Sequence, residues 1–347
     1  MVSIMDKYTY LVIRTHGLKL RLIKRDTYIK LLGSTLDEFL NLLSNTDYSD
    51  VIERIKGRKL KASTFSKAIF SKYLQRINKL HYYAPKDLRS LIDLYALGRY
   101  EVENIKRLIR AIAFKERISE NELHPVSLHF SIDELLNFLE LESLISFLEE
   151  KGFEYTTRAY EIYNDNENPF IGIIECGIDA DYFNMLHQYP IRNNGLRTII
   201  DTESNLRWLY WCIIFKLKEL SLSMIQDFMN VLNRNLKKNI LHVAERSSLS
   251  DFLSIITHIP YYRGLEDLLG KAIREHDYAL IEYALLHKLY SEAIKVMKSN
   301  FVDVSFIFAY ILLCEMEMKN LDTIFIGKKV DLPSTYIQRL LYLSEQL

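Results

Sequence analysis

The chain has 347 residues, 49% of them apolar, and its 45 basic and 45 acidic residues leave no formal net charge. A chain of this length can bury a large core and commonly forms two or three domains. The balanced charge argues against a nucleic-acid binder that depends on overall basicity. Glycine (11) and proline (6) are scarce, which favours long helices with short connections. We therefore expect an all-α protein.

Neither the cysteines nor the apolar segments indicate a secreted or membrane-spanning protein. Cys176, Cys212 and Cys314 are odd in number and lie in apolar stretches, so buried, reduced thiols are expected. The first apolar run meets Arg14 too early for a secretory signal. The most apolar stretches, WLYWCIIF and FIFAYILLC, are shorter than the ~20 residues of a spanning helix. The sequence predicts a protein that is soluble by itself and lies in the cytoplasm.

The N-terminal 34 residues are predicted to form one basic amphipathic helix that leads to Gly33. Their basic residues include Arg14, Lys19, Arg21, Lys24 and Arg25. Such a face is more often an ordinary solvated surface than a surface that lies on a membrane.

The same helix start then occurs three times. Each copy has Ser or Thr, an acidic residue three positions later and an apolar stripe: TLDEFLNLL from Thr35, SIDELLNFL from Ser131 and SLSDFLSII from Ser248. The hydroxyl is expected to accept from a first-turn amide while the acid reaches back to the cap. Three copies in the same phase indicate an internal repeat.

A second landmark supports the repeat. Asn104, Asn205 and Asn320 each follow acidic residues and precede an apolar helical run. They lie 69, 74 and 72 residues after the three caps (104−35, 205−131 and 320−248). The spacing between copies is longer than that of solenoid repeats, so each copy is predicted to be a helical module. We place the modules at 1–117, 118–246 and 247–347.

The neutral total hides a polarised charge distribution. Residues 51–117 contain 17 basic and 6 acidic residues, whereas residues 118–181 contain 15 acidic and 2 basic residues. Such polarity can steer docking to charged partners or to anionic headgroups. The basic, tyrosine-containing part also leaves open a nucleic-acid-binding or general adaptor protein, since aromatic side chains can stack on bases.

Other helices and loops follow from apolar periodicity and from breaking residues. In the first half of the chain the predicted elements are a helix over 65–80, a loop over 81–86, a helix over 87–117, a helix over 131–150 capped by Gly152 and a loop over 164–169. In the second half they are a helix over 177–190, a turn over 192–195, a helix around Asn205, an amphipathic stretch to 246, helices broken at Pro260, Gly264 and Asn300, and a last helix over 336–343 after Gly327 and Pro333. No alternating strand pattern is present.

Motifs for chemistry are missing from the sequence. GLEDLLGKA at 264–272 has the wrong glycine spacing for a phosphate loop. His124 and His129 lack the ligand spacing of a zinc site. Paired acids such as Asp179 and Asp181 are interpreted as a solvated face and not as an acid/base dyad. We expect no catalytic residue, cofactor site or metal site.

The three asparagines invite two interpretations. Asn is unfavourable inside a helix because its side chain competes for backbone groups, so its recurrence indicates a role. The simpler role is a hydrogen bond within each module. The alternative is that the asparagines and nearby charges meet a partner. The candidate partner-binding residues are Arg58, Lys59, Lys61, Glu101, Glu103, Asn104, Arg107, Asp201, Asn205, Glu317 and Asn320.

In order and spacing, these motifs resemble the C subunit family of archaeal A-type and bacterial V-type ATP synthases, the counterpart of the d subunit of the vacuolar ATPase. The segments that carry the resemblance are LLGSTLDEFLNLLSNTDYSDVI, YEVENIKRLIRAI, IECGIDADYFNML and AYILLCEMEMKNLDTIFIGKKVDLP. Together they span nearly the whole chain.

The resemblance implies three similar helical modules packed as a funnel around a pseudo-three-fold axis. It implies a non-catalytic central-stalk subunit, without cofactors, that couples the rotating shaft to the membrane proteolipid ring during proton-linked ATP synthesis or hydrolysis. Its expected partners are the shaft subunits and the ring, with anionic lipid headgroups as a further contact and no nucleic acid. The expected location is peripheral, on the cytoplasmic face of the membrane.

Overall fold

The chain folds entirely into helices and connecting loops wherever its structure is described. A computed structural model describes residues 4–55, 60–190, 193–232, 244–259, 262–275, 277–300 and 302–343, and no strand occurs within these ranges. The predicted all-α class is confirmed. The chain divides into two compact units, Met1–Ile92 with Tyr290–Leu347, and Asp93–Leu289. We call them unit 1 and unit 2.

Unit 1 joins the two ends of the chain. Its helices are Ile4–Lys19, Arg25–Gly33, Leu36–Leu43, Ser49–Ile55, Ala62–Tyr83, Lys86–Asp93 at the boundary, the end of Tyr278–Ser299, Ser305–Lys329 and Ser334–Arg339. The predicted helix over 65–80 is confirmed within Ala62–Tyr83.

Helix Ser305–Lys329 is the centre of unit 1. Its side chains are buried on nearly every side, as expected for a helix that is hydrophobic all round. Phe325 stacks on Phe65 with ring centroids 4.0 Å apart, and Phe39 lies 6.3 Å from Phe325. Aromatic contacts of this kind add to the free energy gained from burial.

Unit 2 consists of the middle of the chain. Its α-helices are Arg99–Ala113, Ile132–Leu136, Leu141–Glu150, Glu154–Asn164, Gly172–Gln188, Asn194–Leu217, Gln226–Leu232, Leu249–Thr257, Glu266–Arg274 and most of Tyr278–Ser299. The described part of unit 2 also contains two 3-10 turns, Glu120–Glu122 and Leu222–Ile225, and the π-helical turn Leu94–Gly98.

Helix Gly172–Gln188 has the central place in unit 2. From Gly172 to Phe183 its residues are buried on all sides. Gly177 permits the close contact with helix Glu154–Asn164, because a Cβ atom there would lie 2.6 Å from the carbonyl oxygen of Tyr155 and 2.6 Å from Cβ of Ala159.

All three predicted helix starts are confirmed. Thr35 and Ser131 form complete capping boxes with the acids three residues later. Ser248 accepts from the amide of Asp251, and the Asp251 carboxylate accepts from the Ser248 hydroxyl. The three cysteines are buried and free, as predicted.

Two predicted helices are broken. Residues 4–33 form two helices and not one, since residues 20–24 leave the helix and the amide of Ile23 donates to Glu317 instead of to a carbonyl of its own helix. The helix predicted over 131–150 stops at Leu136 and restarts at Leu141. The buried Leu135 and Leu144 are nine positions apart, which would place them on opposite faces of a continuous helix.

The end of the chain also differs from the prediction. Gly327 does not end its helix, which continues to Lys329. The glycine instead permits close packing, because a Cβ atom there would lie 2.7 Å from the Ile337 side chain. The last helix is Ser334–Arg339 and not 336–343.

Candidate functional site

Glu101 and Asn104, one turn apart in helix Arg99–Ala113, bind the segment that leads to Ser131. One oxygen of Glu101 accepts the backbone amides of residues 128, 129 and 130 at 2.8, 2.7 and 3.1 Å. Its other oxygen lies 2.7 Å from Nδ1 of His129. Asn104 makes a two-way bond with the backbone of His124, at 2.8 Å in each direction. Both side chains are buried.

Glu317 and Asn320 have the same i, i+3 spacing in the central helix of unit 1. Asn320 accepts from the amide of Tyr342 at 2.8 Å and donates to the carbonyl oxygen of Tyr342 at 3.4 Å. The residue whose backbone binds the Asn side chain lies 20 positions further along the chain in unit 2 and 22 positions further along in unit 1. We call each buried Glu with its Asn a Glu–Asn clamp.

The third asparagine does not form such a clamp. Asn205 is buried, but Thr202 occupies the position of the glutamate, and Nδ2 of Asn205 has no hydrogen-bond partner among the described residues. Its carbonyl oxygen accepts from the Tyr262 hydroxyl at 3.2 Å. Asp201, one residue further upstream than a clamp glutamate, lies 3.8 Å from Nδ1 of His187.

A buried ionic network surrounds the Glu317 carboxylate in unit 1. Arg76 donates to Glu317 at 2.7 Å and the Tyr48 hydroxyl donates at 2.8 Å. The backbone amide of Ile23 donates to its other oxygen. The guanidinium of Arg76 also bonds Asp47 at 3.1 Å. Arg76 and Glu317 are each only 2% exposed, so their charges are compensated almost entirely by each other and these neighbours.

Unit 2 contains a second buried charge cluster, centred on Asp179. Lys106 lies 2.6 Å from one oxygen of Asp179, and Nε1 of Trp211 donates to the other at 2.8 Å. Arg207 lies 3.7 Å away. Burial by itself opposes ionisation, but Lys106 and Arg207 hold the pKa of Asp179 below its ordinary value.

Asp181 caps a neighbouring helix. It accepts the backbone amides of Tyr155 and Thr156 at 3.0 and 2.8 Å, together with the Thr156 hydroxyl at 2.7 Å. Burial raises the pKa of Asp181 to about 6, against the opposing effect of these hydrogen bonds. The prediction that Asp179 and Asp181 form a solvated face is therefore wrong, because helix Gly172–Gln188 is enclosed on all sides.

The basic first part of the chain is not a continuous basic surface. Lys72, Arg76 and Lys106 are buried and paired with carboxylates. Several tyrosines of this part, including Tyr73 and Tyr95, are core residues. These side chains are not available to stack on bases or to neutralise phosphates, which argues against the nucleic-acid-binding alternative.

Few of the predicted partner-binding residues are accessible. Glu103 and Arg107 are about one third exposed and pair with each other at 3.3 Å. Lys61 is exposed at the start of helix Ala62–Tyr83. Arg58 and Lys59 lie outside the described residues. Asn320 matches the simpler interpretation, because its partner Tyr342 lies in the same predicted module. Asn104 also forms hydrogen bonds within the chain, but its partner His124 lies beyond the end of the predicted first module at residue 117.

Sequence reasoning missed an exposed apolar surface on unit 1. Its members lie on helices Arg25–Gly33, Ser305–Lys329 and Ser334–Arg339 and in the turn between the last two, and all are exposed: Ile29, Ile326, Val330, Leu332 and Tyr336. We call them the 326–336 surface. The sequence did contain a signal for this surface, since the apolar residues Val330 and Leu332 lie next to Pro333. Apolar residues in a turn beside proline cannot all be buried by a helix.

Hydrogen bonds tie these elements together and place lysines at the rim. Lys328 donates to the carbonyl oxygens of Leu32 and Ser34, and Ser334 also donates to Leu32. Lys329 donates to the carbonyl oxygen of Leu60 at 2.7 Å, which brings the exposed Lys61 close to the same surface. An apolar patch with a polar rim is typical of an interaction site.

The described residues show neither a group of three or more potential metal ligands nor a helix with the length and apolar content to cross a membrane. Buried charged residues join the helices, and the 326–336 surface is apolar and exposed. These features define the class of all-helical proteins that expose an apolar surface suited to contact with a partner.

Comparison with known proteins agrees with this class. The family model for the ATP synthase (C/AC39) subunit matches residues 11–340, so the chain belongs to that family. The A-type ATP synthase C subunit of Methanosarcina acetivorans is 21% identical over 345 residues, covering 96% of this chain and 92% of that protein. The C subunit of the Methanococcoides burtonii enzyme is 24% identical, with coverage of 96% and 93%. That of Thermoplasma volcanium is 22% identical over 289 residues, with coverage of 78% and 80%.

Proposed function

We propose that this chain is a non-catalytic central-stalk subunit that couples the rotating shaft to the membrane proteolipid ring during proton-linked ATP synthesis or hydrolysis. The observation that carries the proposal is the family match across residues 11–340. Two relatives, each named as the C subunit of an A-type ATP synthase, match along nearly their whole length. The proposed location is peripheral, on the cytoplasmic face of the membrane.

The buried polar networks suit a subunit that transmits torque. A coupling element must resist deformation, and close-packed helices have low compressibility. The Glu–Asn clamps add directional bonds to a central helix in unit 1 and to helix Arg99–Ala113 in unit 2. Hydrogen bonds to charged groups are stronger than neutral ones, so these helices should resist sliding along their axes.

The repeat of caps and asparagines supports a three-module arrangement. We propose modules 1–117, 118–246 and 247–347 around a pseudo-three-fold axis, as in the funnel that the family resemblance implies. Two of the three modules contain a Glu–Asn clamp, with the Glu three residues before the Asn. The Asn205 module departs from this pattern, since Thr202 replaces the glutamate.

We propose that the 326–336 surface, together with Arg58, Lys59 and Lys61, faces the proteolipid ring. The apolar centre can be buried against ring loops, while the basic rim complements acidic loops or anionic headgroups. The central-stalk shaft would then contact other surfaces of the chain, for which Glu103 and Arg107 are the accessible predicted residues. An interface that holds under torque should bury more than about 1,000 Å².

The proposal is tested by co-migration of the purified chain with detergent-solubilised proteolipid ring and, separately, with the shaft subunits, at low and high salt. We expect binding to both. Absence of binding to either, with retention on single-stranded nucleic acid, would refute the proposal.

A charge-reversal variant tests the assignment of the ring-facing surface. Glutamate at Arg58, Lys59 and Lys61 should weaken ring binding and reduce its dependence on salt, while shaft binding persists. The matched control reverses Lys271 and Arg274, two exposed basic residues of unit 2. Unchanged ring affinity and salt dependence in the first variant would remove the assignment.

A further inference from the structure

A second exposed cluster, separate from the 326–336 surface, lies where helix Ile4–Lys19 packs against the end of helix Ala62–Tyr83. It consists of Tyr10, Arg14, Tyr82 and Tyr83, and we call it the Tyr–Arg cluster. Tyr10 is 52% exposed and Tyr82 is 74% exposed. Single exposed apolar residues need no explanation, but a contiguous group of aromatic residues does.

The cluster holds Arg14 in a fixed position. The Cζ atom of Arg14 lies 5.2 Å from the ring centroid of Tyr10 and 5.0 Å from that of Tyr83. Nε of Arg14 donates to the Tyr10 hydroxyl at 2.9 Å. The rings of Tyr10 and Tyr83 meet edge to face at 5.8 Å, and Tyr82 meets Tyr83 in the same way at 5.0 Å. The arginine is thus positioned without an ion pair.

Arg14 is exposed, and its two Nη groups remain available for a partner. Only Nε is used within the cluster, and no carboxylate among the described residues pairs with Arg14. The two Nη groups of a guanidinium form a planar fork that matches a carboxylate. Because the arginine is already oriented by two rings, less conformational entropy is lost when a partner binds.

The surroundings of Arg14 are apolar. Tyr10 and Tyr82, the two strongly exposed tyrosines of the cluster, provide this apolar surface. Tyr and Arg are enriched among the residues that dominate the affinity of protein interfaces. A single guanidinium held by two rings differs from the clusters of four to eight cations by which proteins recognise anionic membranes.

We infer that the Tyr–Arg cluster is a docking surface for a protein segment that presents a carboxylate next to an apolar side chain. The carboxylate accepts from the Nη groups of Arg14, and the apolar side chain packs on Tyr82. The inference rests on the proposed function in one respect, since the partner is taken to be another member of the same rotary complex.

The test measures the affinity of the full-length chain for purified shaft subunits and for detergent-solubilised ring. Arg14→Ala and Tyr82→Ala should each weaken binding to one of these probes by about 30-fold. Arg14→Lys should lose most of the same affinity, because lysine keeps the charge but not the fork. The controls are Phe114→Ala and Arg274→Ala, which alter an exposed aromatic residue and an exposed arginine of unit 2.

The outcomes separate this inference from the proposed function. If the wild-type chain binds neither probe, both fail. If the wild-type chain binds and the Arg14 and Tyr82 variants bind equally well, the inference fails while the proposed function stands. A third arm uses phosphatidylglycerol and phosphatidylcholine vesicles. Loss of binding to phosphatidylglycerol vesicles alone in Arg14→Ala would assign the cluster to lipid and overturn the inference.

Discussion

Replacing Glu317 by alanine should strongly destabilise the central helix of unit 1. The substitution leaves Arg76 buried with Asp47 as its remaining carboxylate, and it removes the acceptor of the Tyr48 hydroxyl and of the Ile23 amide. Removing one partner of a buried ion pair costs about 3–5 kcal/mol. This range already includes the hydrogen bonds to the Glu317 carboxylate, because the substitution removes them together and their energies are not additive.

Native-state hydrogen exchange at low urea concentrations is the suitable assay, since it reports the opening free energy of one helix. The chain has two tryptophans, Trp208 and Trp211, and both lie in unit 2. Their fluorescence therefore does not report on unit 1 directly. We expect the amides of helix Ser305–Lys329 to lose about 3–5 kcal/mol of protection in Glu317→Ala.

Two further variants show whether the buried charge is the cause. Glu103→Ala removes a carboxylate from a pair with Arg107 that is about one third exposed, and it should cost less than about 1 kcal/mol. The double variant Arg76→Met with Glu317→Met should recover most of the lost stability, because no buried charge remains unpaired. A loss below about 1 kcal/mol in Glu317→Ala, or a double variant as unstable as the single one, would refute this reasoning.

Two further predictions concern a glycine contact and a buried carboxylate. Gly177→Ala should lower stability in thermal unfolding by about 1–3 kcal/mol, because the new Cβ atom would collide with the backbone of Tyr155. The control is Gly17→Ala, where no atom lies within 4 Å of the new Cβ atom. It should raise stability by about 0.5–1 kcal/mol. Burial raises the pKa of Asp322 to about 6, so the unfolded chain releases this proton at lower pH than the folded chain, and stability falls as pH rises from about 4 to 6. Asp322→Asn should remove that dependence and be more stable than the wild type at pH 7 by roughly 1–3 kcal/mol. Urea unfolding at several pH values gives the free energy of unfolding of each protein, and the two plots against pH should meet near pH 4. Parallel plots for the two proteins would contradict the prediction.

Local signals in the sequence were sufficient for the helix starts. Thr35, Ser131 and Ser248 cap their helices because the bonds involve residues within three positions, and such bonds depend little on the rest of the fold. The hydrogen-bonded role of Asn104 and Asn320 was also within reach, as one of two interpretations, because an amide inside a helix needs a partner.

Long-range pairings could not be predicted. Arg76 and Glu317 are 241 residues apart, and no local pattern connects them. Asp179 and Asp181 were misjudged because charged residues usually indicate a solvated face, whereas helix Gly172–Gln188 is enclosed and satisfies them internally. The break after Leu136 did leave a signal, since Leu135 and Leu144 are out of phase for one continuous helix.

The most direct test of the proposed coupling role compares the rotary complex with and without this chain in sealed vesicles. ATP hydrolysis and ATP-driven proton uptake are measured on the same preparation. We predict that complexes without the chain still hydrolyse ATP but do not pump protons, and that adding the purified chain back restores pumping. Unimpaired pumping in its absence would contradict the coupling role.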